Sequence, residues 1–479
     1  MTYPEAIQFL YDLRWFGAKF GLENTLKLAA LAGNPQSNLR FIHVAGTNGK
    51  GSTCAMLESI YRAAGLRVGL FTSPHLVSFR ERIQVNRKPI SESDTVRLVS
   101  EMRSLLGQGW IDGHLPPHVL VSGDHGHPTF FEVVTVMALR YFAEQKCDLV
   151  IWETGLGGRL DATNIVMPLA SIITNIQFDH ERWLGDTLAK IAFEKAGIIK
   201  PGVPVITAAE EPEALDVIRE IARQRHSPLR IIGDAEINSS PLDQIQLSLP
   251  GHHQKLNAAI ANATVEILSP VLPVSRAAVE AGLSGVQWPG RLQVIDRPPV
   301  QRILLDGAHN PAGAKALAAA LSQMFPYNGV AATRVCLIFG ALRDKNCGGI
   351  CEILAPLAHR ILTVPVSSER SAPPQELGQL CRLARPSANV QECASLGEAL
   401  NLAHSDELVI ITGSLYLVGE AIELLQPESK MSANERELNE WTLTTEPQRC
   451  SGTGFSPHLS NERVPATTPN TSLKGRGPG

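Results

Sequence analysis

Phe41-Ile-His-Val-Ala-Gly-Thr-Asn-Gly-Lys-Gly-Ser-Thr53 runs from an apolar strand through a glycine-rich turn into a lysine and two hydroxyls. That order of residue types suits a nucleoside triphosphate. Gly46, Gly49 and Gly51 let backbone N–H groups close around phosphate oxygens, with Thr47, Asn48 and Ser52 beside them. Lys50 reaches the outer phosphates, and a helix starting near Ser52 aims its positive end at the same charge. The general phosphate-loop pattern would place a glycine where Val44 stands and a hydroxyl where Gly51 stands. The competing interpretation is a glycine-rich turn that binds nothing.

Outward from this stretch, apolar strand-like runs at Phe41–Ala45, Val68–Thr72, Leu149–Trp152, Ala170–Thr174 and Val203–Thr207 alternate with helical patterns. Such alternation predicts a parallel sheet covered by helices. A second series, Arg302–Asp306, Val335–Gly340, Ile361–Val364 and Leu408–Thr412, follows a Pro-containing stretch at 293–301. The fold class is therefore α/β, with a phosphate-loop parallel-sheet domain over 1–295 and a smaller α/β domain over 296–426. From Pro427 the chain loses nearly all aliphatic residues, and residues 427–479 read as a disordered tail.

A chain of 479 residues exceeds one ordinary core. The formal net charge of −4 offers no basic excess for nucleic acid. The amino terminus lacks the regions of a signal peptide, and no run of about eighteen apolar residues occurs, so a soluble, cytoplasmic, monomeric protein is expected. The eight cysteines are scattered without zinc or disulfide spacing and read as free thiols.

Several residues beyond the loop carry chemistry. The strand ending at Trp152 delivers Glu153 to the sheet edge where ligands bind, and a carboxylate there can hold Mg2+ opposite the phosphates. The following Thr154 and Gly155 can touch a substrate through the backbone. His180 lies beyond another strand end on the same edge. Leu188, Ile191, Ala192 and Lys195 share one helical face, which puts an ammonium in an apolar stripe, while Lys190 and Glu194 can pair on another face. Lys195 must then snorkel, find a carboxylate, or become neutral or anionic by modification. Asn257 and Arg291 suit a purine edge and a phosphate. Asp306 is placed to reach a ribose or hold Arg291, His309 faces the same side, and Asn310 and Pro311 read as a helix cap and first turn. The glycine-, proline- and histidine-rich segment over 107–128 reads as a solvent loop rather than a metal site, and Cys347 and Cys351 do not read as a redox pair.

Taken together, Ala45–Ser52, Thr72-Ser-Pro-His-Leu76, Glu81-Arg-Ile83, Glu153–Asn164, Phe193–Gly197, Trp288-Pro-Gly-Arg291, Asp306–Pro311 and Ile411–Tyr416 resemble the folylpolyglutamate synthase/dihydrofolate synthase branch of the Mur ligases, over about residues 1–425. The resemblance accounts for the departing loop, since that family uses Gly-Thr-Asn-Gly-Lys-Gly-Ser/Thr. It implies an ATPase domain followed by a Rossmann-like domain. It also implies ATP held by Asn257, Arg291 and Asp306, and two Mg2+ ions held through Ser73, Glu153 and His180. It further implies a carbamylated Lys195, a catalytic set of Lys50, His180 and Lys195, and a pterin-side site at Thr129, Phe130, Phe131 and Glu132. The implied reaction joins L-glutamate to dihydropteroate and to folate γ-carboxylates through an acyl phosphate, releasing ADP and phosphate. Alternatives are a monofunctional member, another ligase of the superfamily, or a nucleotide-binding regulator without catalysis.

Overall fold

The computed structural model describes residues 1–16, 21–110, 126–297, 301–325 and 335–426. The tail expected over 427–479 and most of the 107–128 loop lie outside the described residues. Eight strands form the first sheet: β1 (Phe41–Ala45), β2 (Val68–Phe71), β3 (Ile83–Val85), β4 (Lys88–Pro89), β5 (Leu149–Glu153), β6 (Ala170–Ile173), β7 (Val205–Thr207) and β8 (Leu229–Ile231). Their order across the sheet is β4-β3-β2-β5-β1-β6-β7-β8, with β1 and β5 central. Pairing is parallel except at the edge, where β3 runs antiparallel to β2 and β4.

The second sheet has order β13-β12-β11-β14-β10-β9. It is built from β9 (Gln293–Arg297), β10 (Gln301–Leu305), β11 (Val335–Phe339), β12 (Arg360–Thr363), β13 (Asn389–Glu392) and β14 (Leu408–Thr412). Only β9 is antiparallel. Its strand begins at Gln293 inside the stretch read as a connection. The sequence reading also passed over β3, β4, β8 and β13. These strands span two to four residues, each with a polar one among them (Gln84, Lys88, Arg230, Asn389), and so lack the continuous apolar run that marks a strand covered on both faces.

The central strands show why such runs are required. Phe41, Val150 and Trp152 enter one core with the Phe130–Glu144 helix, whereas Ile42, Val44 and Ile151 enter the opposite core with the helices Lys50–Ala63 and His252–Leu268. Alternate side chains on one strand thus face two different apolar layers. Trp152 stacks on Phe71 at 4.5 Å, and each such buried ring contributes roughly 1.5–3 kcal/mol. In the second sheet Leu304, Leu337 and Ile410 enter one core, and Ile303, Leu305 and Ile411 the other. Both sheets therefore present their carboxyl-end loops as the free edge for chemistry.

Candidate active site

The loop after β1 is held from below by the segment after β6. Thr47 N donates to Asn175 O (2.9 Å), Asn48 N to Asn175 Oδ1 (2.8 Å), and Thr174 Oγ1 to Asn48 O (2.6 Å). Gly46 has φ 145°, and a Cβ there would stand 1.9 Å from Thr174 Oγ1. Gly49 takes φ 84° as the residue preceding the Lys50–Ala63 helix, which has no side-chain cap at that end. The helix begins two residues earlier than expected, so Lys50 itself lies in its first turn. Its Nζ donates back to Gly46 O (2.9 Å) and Thr47 O (3.1 Å), across the concavity where phosphate oxygens would bind.

Two expected neighbours pack on this loop. Asn257 Oδ1 lies where a Cβ on Gly49 would fall, its Nδ2 donates to Gln254 (3.0 Å), and Gln254 donates to Ser52 Oγ (3.3 Å). Trp288 closes on Gly51. Arg291 Nη1 lies against Gly307 at the start of the second domain's loop. Of its two expected roles, Asp306 does not take that of holding Arg291. Its oxygens accept from Leu292 N (3.0 Å) and Ala308 N (2.9 Å), so it ties the crossing chain through backbone amides rather than through the Arg291 guanidinium.

Glu153 ends β5 in register with Val44 on β1, which sets the carboxylate beside the phosphate loop. It is 3% exposed, accepts from Ser73 N (3.0 Å), and burial raises its pKa to about 7 against the opposing pull of Lys50. No lysine, arginine or histidine stands within ion-pair distance among the described residues, so the site is suited to a bound cation. Among those residues no three His, Cys, Asp or Glu side chains gather into a metal cluster, so hydroxyl and ligand oxygens would have to complete any coordination. His180, in a left-handed turn at φ 54°, sits 3.4 Å from Lys345 Nζ. Desolvation and the neighbouring cations lower its pKa. Asp179 pulls the other way but does not outweigh them, and the balance favours a neutral, ligand-ready imidazole.

Lys195 is 4% exposed and donates from Nζ to Gly46 O at 2.8 Å. Ile191 and Ala192 share its buried face as expected, and the lysine does not snorkel. Burial first, then the Lys50 charge, lower its pKa to about 7. Lys190 and Glu194 do not pair with each other: Lys190 binds Asp186 (2.7 Å) in the turn before the helix, and Glu194 binds Arg159 (2.9 Å) in the loop after β5.

Of the four expected pterin-side residues, Thr129 and Glu132 form a capping box for the Phe130–Glu144 helix, with Thr129 N donating to Glu132 Oε2 at 2.7 Å. The two phenylalanines supply the apolar surface. Phe131 covers Gly155, and Phe130 lies 5.7 Å from Tyr11. Thr154 is buried and donates its amide to Val44 O (2.9 Å), which leaves Gly155 as the residue against the aromatic wall.

The family model that matches is the Mur ligase, glutamate ligase domain, over residues 290–415. Over 442 residues the chain is 38% identical to the dihydrofolate synthase/folylpolyglutamate synthase of Bacillus subtilis strain 168, covering 88% of this chain and 98% of that protein. The chain belongs to the dihydrofolate synthase/folylpolyglutamate synthase family. The Escherichia coli protein of that name is 32% identical over 427 residues, covering 88% and 94%. Escherichia coli FolC solved in complex with DHPP and ADP matches with TM-score 0.75 at 30% identity, over 90% of this chain and 99% of that one. A Mycobacterium tuberculosis folylpolyglutamate synthase complexed with ADP gives TM-score 0.79 at 29% identity, over 88% and 98%.

Of the residues that join the two domains in this family member, sequence reasoning named Asn48, His309 and Asn310 but missed Asp179 and Lys345. Asn48 of the phosphate loop and Asn310 exchange amide hydrogen bonds (3.0 and 3.3 Å). Asp179 accepts from Lys345 Nζ (2.6 Å) and Asn310 Nδ2 (3.1 Å), with His309 Nε2 at 3.5 Å. Burial opposes the Asp179 charge, but the His309 hydrogen bond and the Lys345 ammonium outweigh it and hold the carboxyl well below its usual range. Asp179 was legible only as the neighbour of His180, and Lys345 belonged to no recognised motif. Among the described residues no helix is long and apolar enough to cross a membrane.

Proposed function

We propose that this chain is an ATP-dependent ligase that joins L-glutamate to dihydropteroate and to the γ-carboxylate of folates. The observation that carries the reading is the docking of Asn310 and His309 on Asn48 and Asp179, which sets the matched glutamate ligase domain directly against an open phosphate loop. A carboxylate is a poor electrophile, so the acceptor oxygen attacks the γ-phosphorus of ATP and ADP leaves. The glutamate amine, having lost a proton, then attacks the acyl carbon, and phosphate departs as the amide forms. Lys50, once released from Gly46 O and Thr47 O, neutralises the transferred phosphoryl oxygens. Ser73, Glu153 and His180 are the residues suited to hold Mg2+, which supplies charge neutralisation at those oxygens when bound. The interdomain contacts limit water access to the acyl phosphate.

Lys195 fits modification. Its buried amine is shifted towards the neutral form that adds CO2, with loss of a proton, and the resulting carbamate keeps an N–H to donate to Gly46 O. Lys195→Ala is expected to lower turnover by about a hundredfold or more with little loss of fold, the range for removing one preorganised electrostatic group. Labelled bicarbonate should give a carbamate carbon resonance that the variant lacks, and an active enzyme without it would return Lys195 to a structural role. The ligase reading itself is tested by phosphate release and chromatography with dihydropteroate and tetrahydrofolate as separate acceptors. Phosphate release without glutamylated product from either would overturn it.

A further inference from the structure

Two arginines near the pterin-side wall form no ion pair among the described residues. Arg82 is 8% exposed, and its recorded side-chain bond is from Nε to His75 Nδ1 at 2.8 Å. Arg14 has a buried Nη1 without an acceptor. Neither forms an ion pair among the described residues: Glu81, next to Arg82, spends its oxygens on the amides of Leu76, Val77 and Ser78 (2.7–3.0 Å), and Asp12, two residues from Arg14, accepts from Gln8 Nε2 (2.6 Å). Both guanidiniums approach the same ring: Arg14 Cζ is 5.3 Å and Arg82 Cζ 5.4 Å from the centroid of Phe130, and Arg14 also lies 3.5 Å from that of Tyr11. Burial lowers both pKa values, Arg14 to about 10, where the Arg82 charge adds to the effect; Glu81 and Glu153 pull Arg82 the other way without reaching ion-pair distance. The phenol of Tyr416, from the second domain, lies close enough to act on both. Cation–π contacts offset only about 0.5–2 kcal/mol of such a cost. Two guanidinium forks, one buried and one half-buried, thus flank an aromatic wall with no carboxylate in ion-pair contact among the described residues.

We propose that Arg14 and Arg82 seat a spectator carboxylate of the acceptor, the α-carboxylate of a terminal glutamate, and so distinguish folates from dihydropteroate. This rests on the ligase reading above. The reacting carboxylate is a poor occupant, because two guanidinium pairs would hold back the lone pair that must attack phosphorus. Dihydropteroate carries only that reacting carboxylate. A folate carries a second on the same glutamate, and it enters beside Phe130, where water is scarce.

The test compares Arg14→Gln and Arg82→Gln with wild type, using tetrahydropteroyl-monoglutamate and dihydropteroate as acceptors. Circular dichroism confirms the fold, and Arg82→Lys serves as the conservative variant. The expected result is a rise of about tenfold or more in KM for the monoglutamate, with kcat little changed and with KM for dihydropteroate within about twofold. Arg82→Lys should recover part of the loss by restoring the charge. Equal losses on both acceptors, or no change on either, would overturn the seat. Direct calorimetric binding of the two acceptors separates it from the ligase reading. If wild type glutamylates neither acceptor, the ligase reading fails, while a tenfold weaker monoglutamate affinity in Arg14→Gln still upholds the seat and an unchanged affinity removes it.

Discussion

The two domains each end a central parallel strand in a tight loop that starts a helix, yet the two helix starts are finished differently. After β1, Gly49 leaves the Lys50–Ala63 helix without a side-chain cap and Lys50 folds over the gap. After β10, Asn310 caps the Pro311–Met324 helix by accepting from Gly313 N (2.8 Å), and Pro311 removes a further donor. An uncapped start keeps its amides and dipole for an anion, whereas a capped start has already satisfied them. The first loop is thus a receptor, and the second is a carrier that presents His309 and Asn310 to it. Nearby carboxylates follow the same division. Glu153 is buried beside the open loop without an ion-pair partner, while Asp306 is spent on two amides.

The largest break in this contrast should come from Lys50→Ala, which is expected to lower kcat by about a thousandfold with unchanged melting, since the charge acts mainly on the transferring phosphoryl group. Rapid-quench measurement of phosphate formation checks it, and a loss below about tenfold would remove Lys50 from the transfer step. Gly49→Ala should weaken ATP binding by about tenfold or more. It forces a Cβ to 2.5 Å from Asn257 Oδ1 in a backbone region that costs about 1–2 kcal/mol. Gly313→Ala in the capped loop, where φ is helical and the nearest atom stands at 3.3 Å, should change stability by less than about 1 kcal/mol and leave ATP affinity unchanged. Calorimetric titration of both variants decides whether the loops differ as argued.

The raised pKa of Glu153, about 7, has a definite sign for metal use. Above that pH the carboxylate is charged and ready; below it a proton must leave before a cation binds. The Mg2+ concentration for half-maximal rate should climb by about tenfold for each pH unit below 7 and level off above it. A flat requirement across that range would disconnect Glu153 from the metal. The smallest loss of turnover belongs to Asn310→Ala. It removes a cap worth about 1 kcal/mol together with the bridge to Asn48 and Asp179, and should lower melting by a few degrees and kcat by about fivefold.

How much of this was legible in the chain depended on the range of the interactions. Strands β1, β5 and β14 read correctly because cover on both faces buries all five residues of each and so demands largely apolar sequence. Asn310-Pro311 read as a cap because capping is settled within a few residues. Lys195 read as misplaced because helical periodicity put it beside Ile191 and Ala192. Thr129 and Glu132 were assigned to substrate although their three-residue spacing is also that of a capping box, which the structure forms.

The sequence by itself determined the phosphate loop, the doubled α/β layout, the family and the apolar position of Lys195. Each of these is written in near neighbours along the chain, through glycine conformation, strand alternation and helical period. Only the tertiary structure decided the pairs Asp179–Lys345, 166 residues apart, and Asn48–Asn310, 262 apart, along with the meeting of Arg14 and Arg82 at one phenylalanine. No local periodicity encodes such partners. They follow from which strand ends the two sheets bring together, and burial at that junction then fixes which charges are paired and which remain open to a ligand.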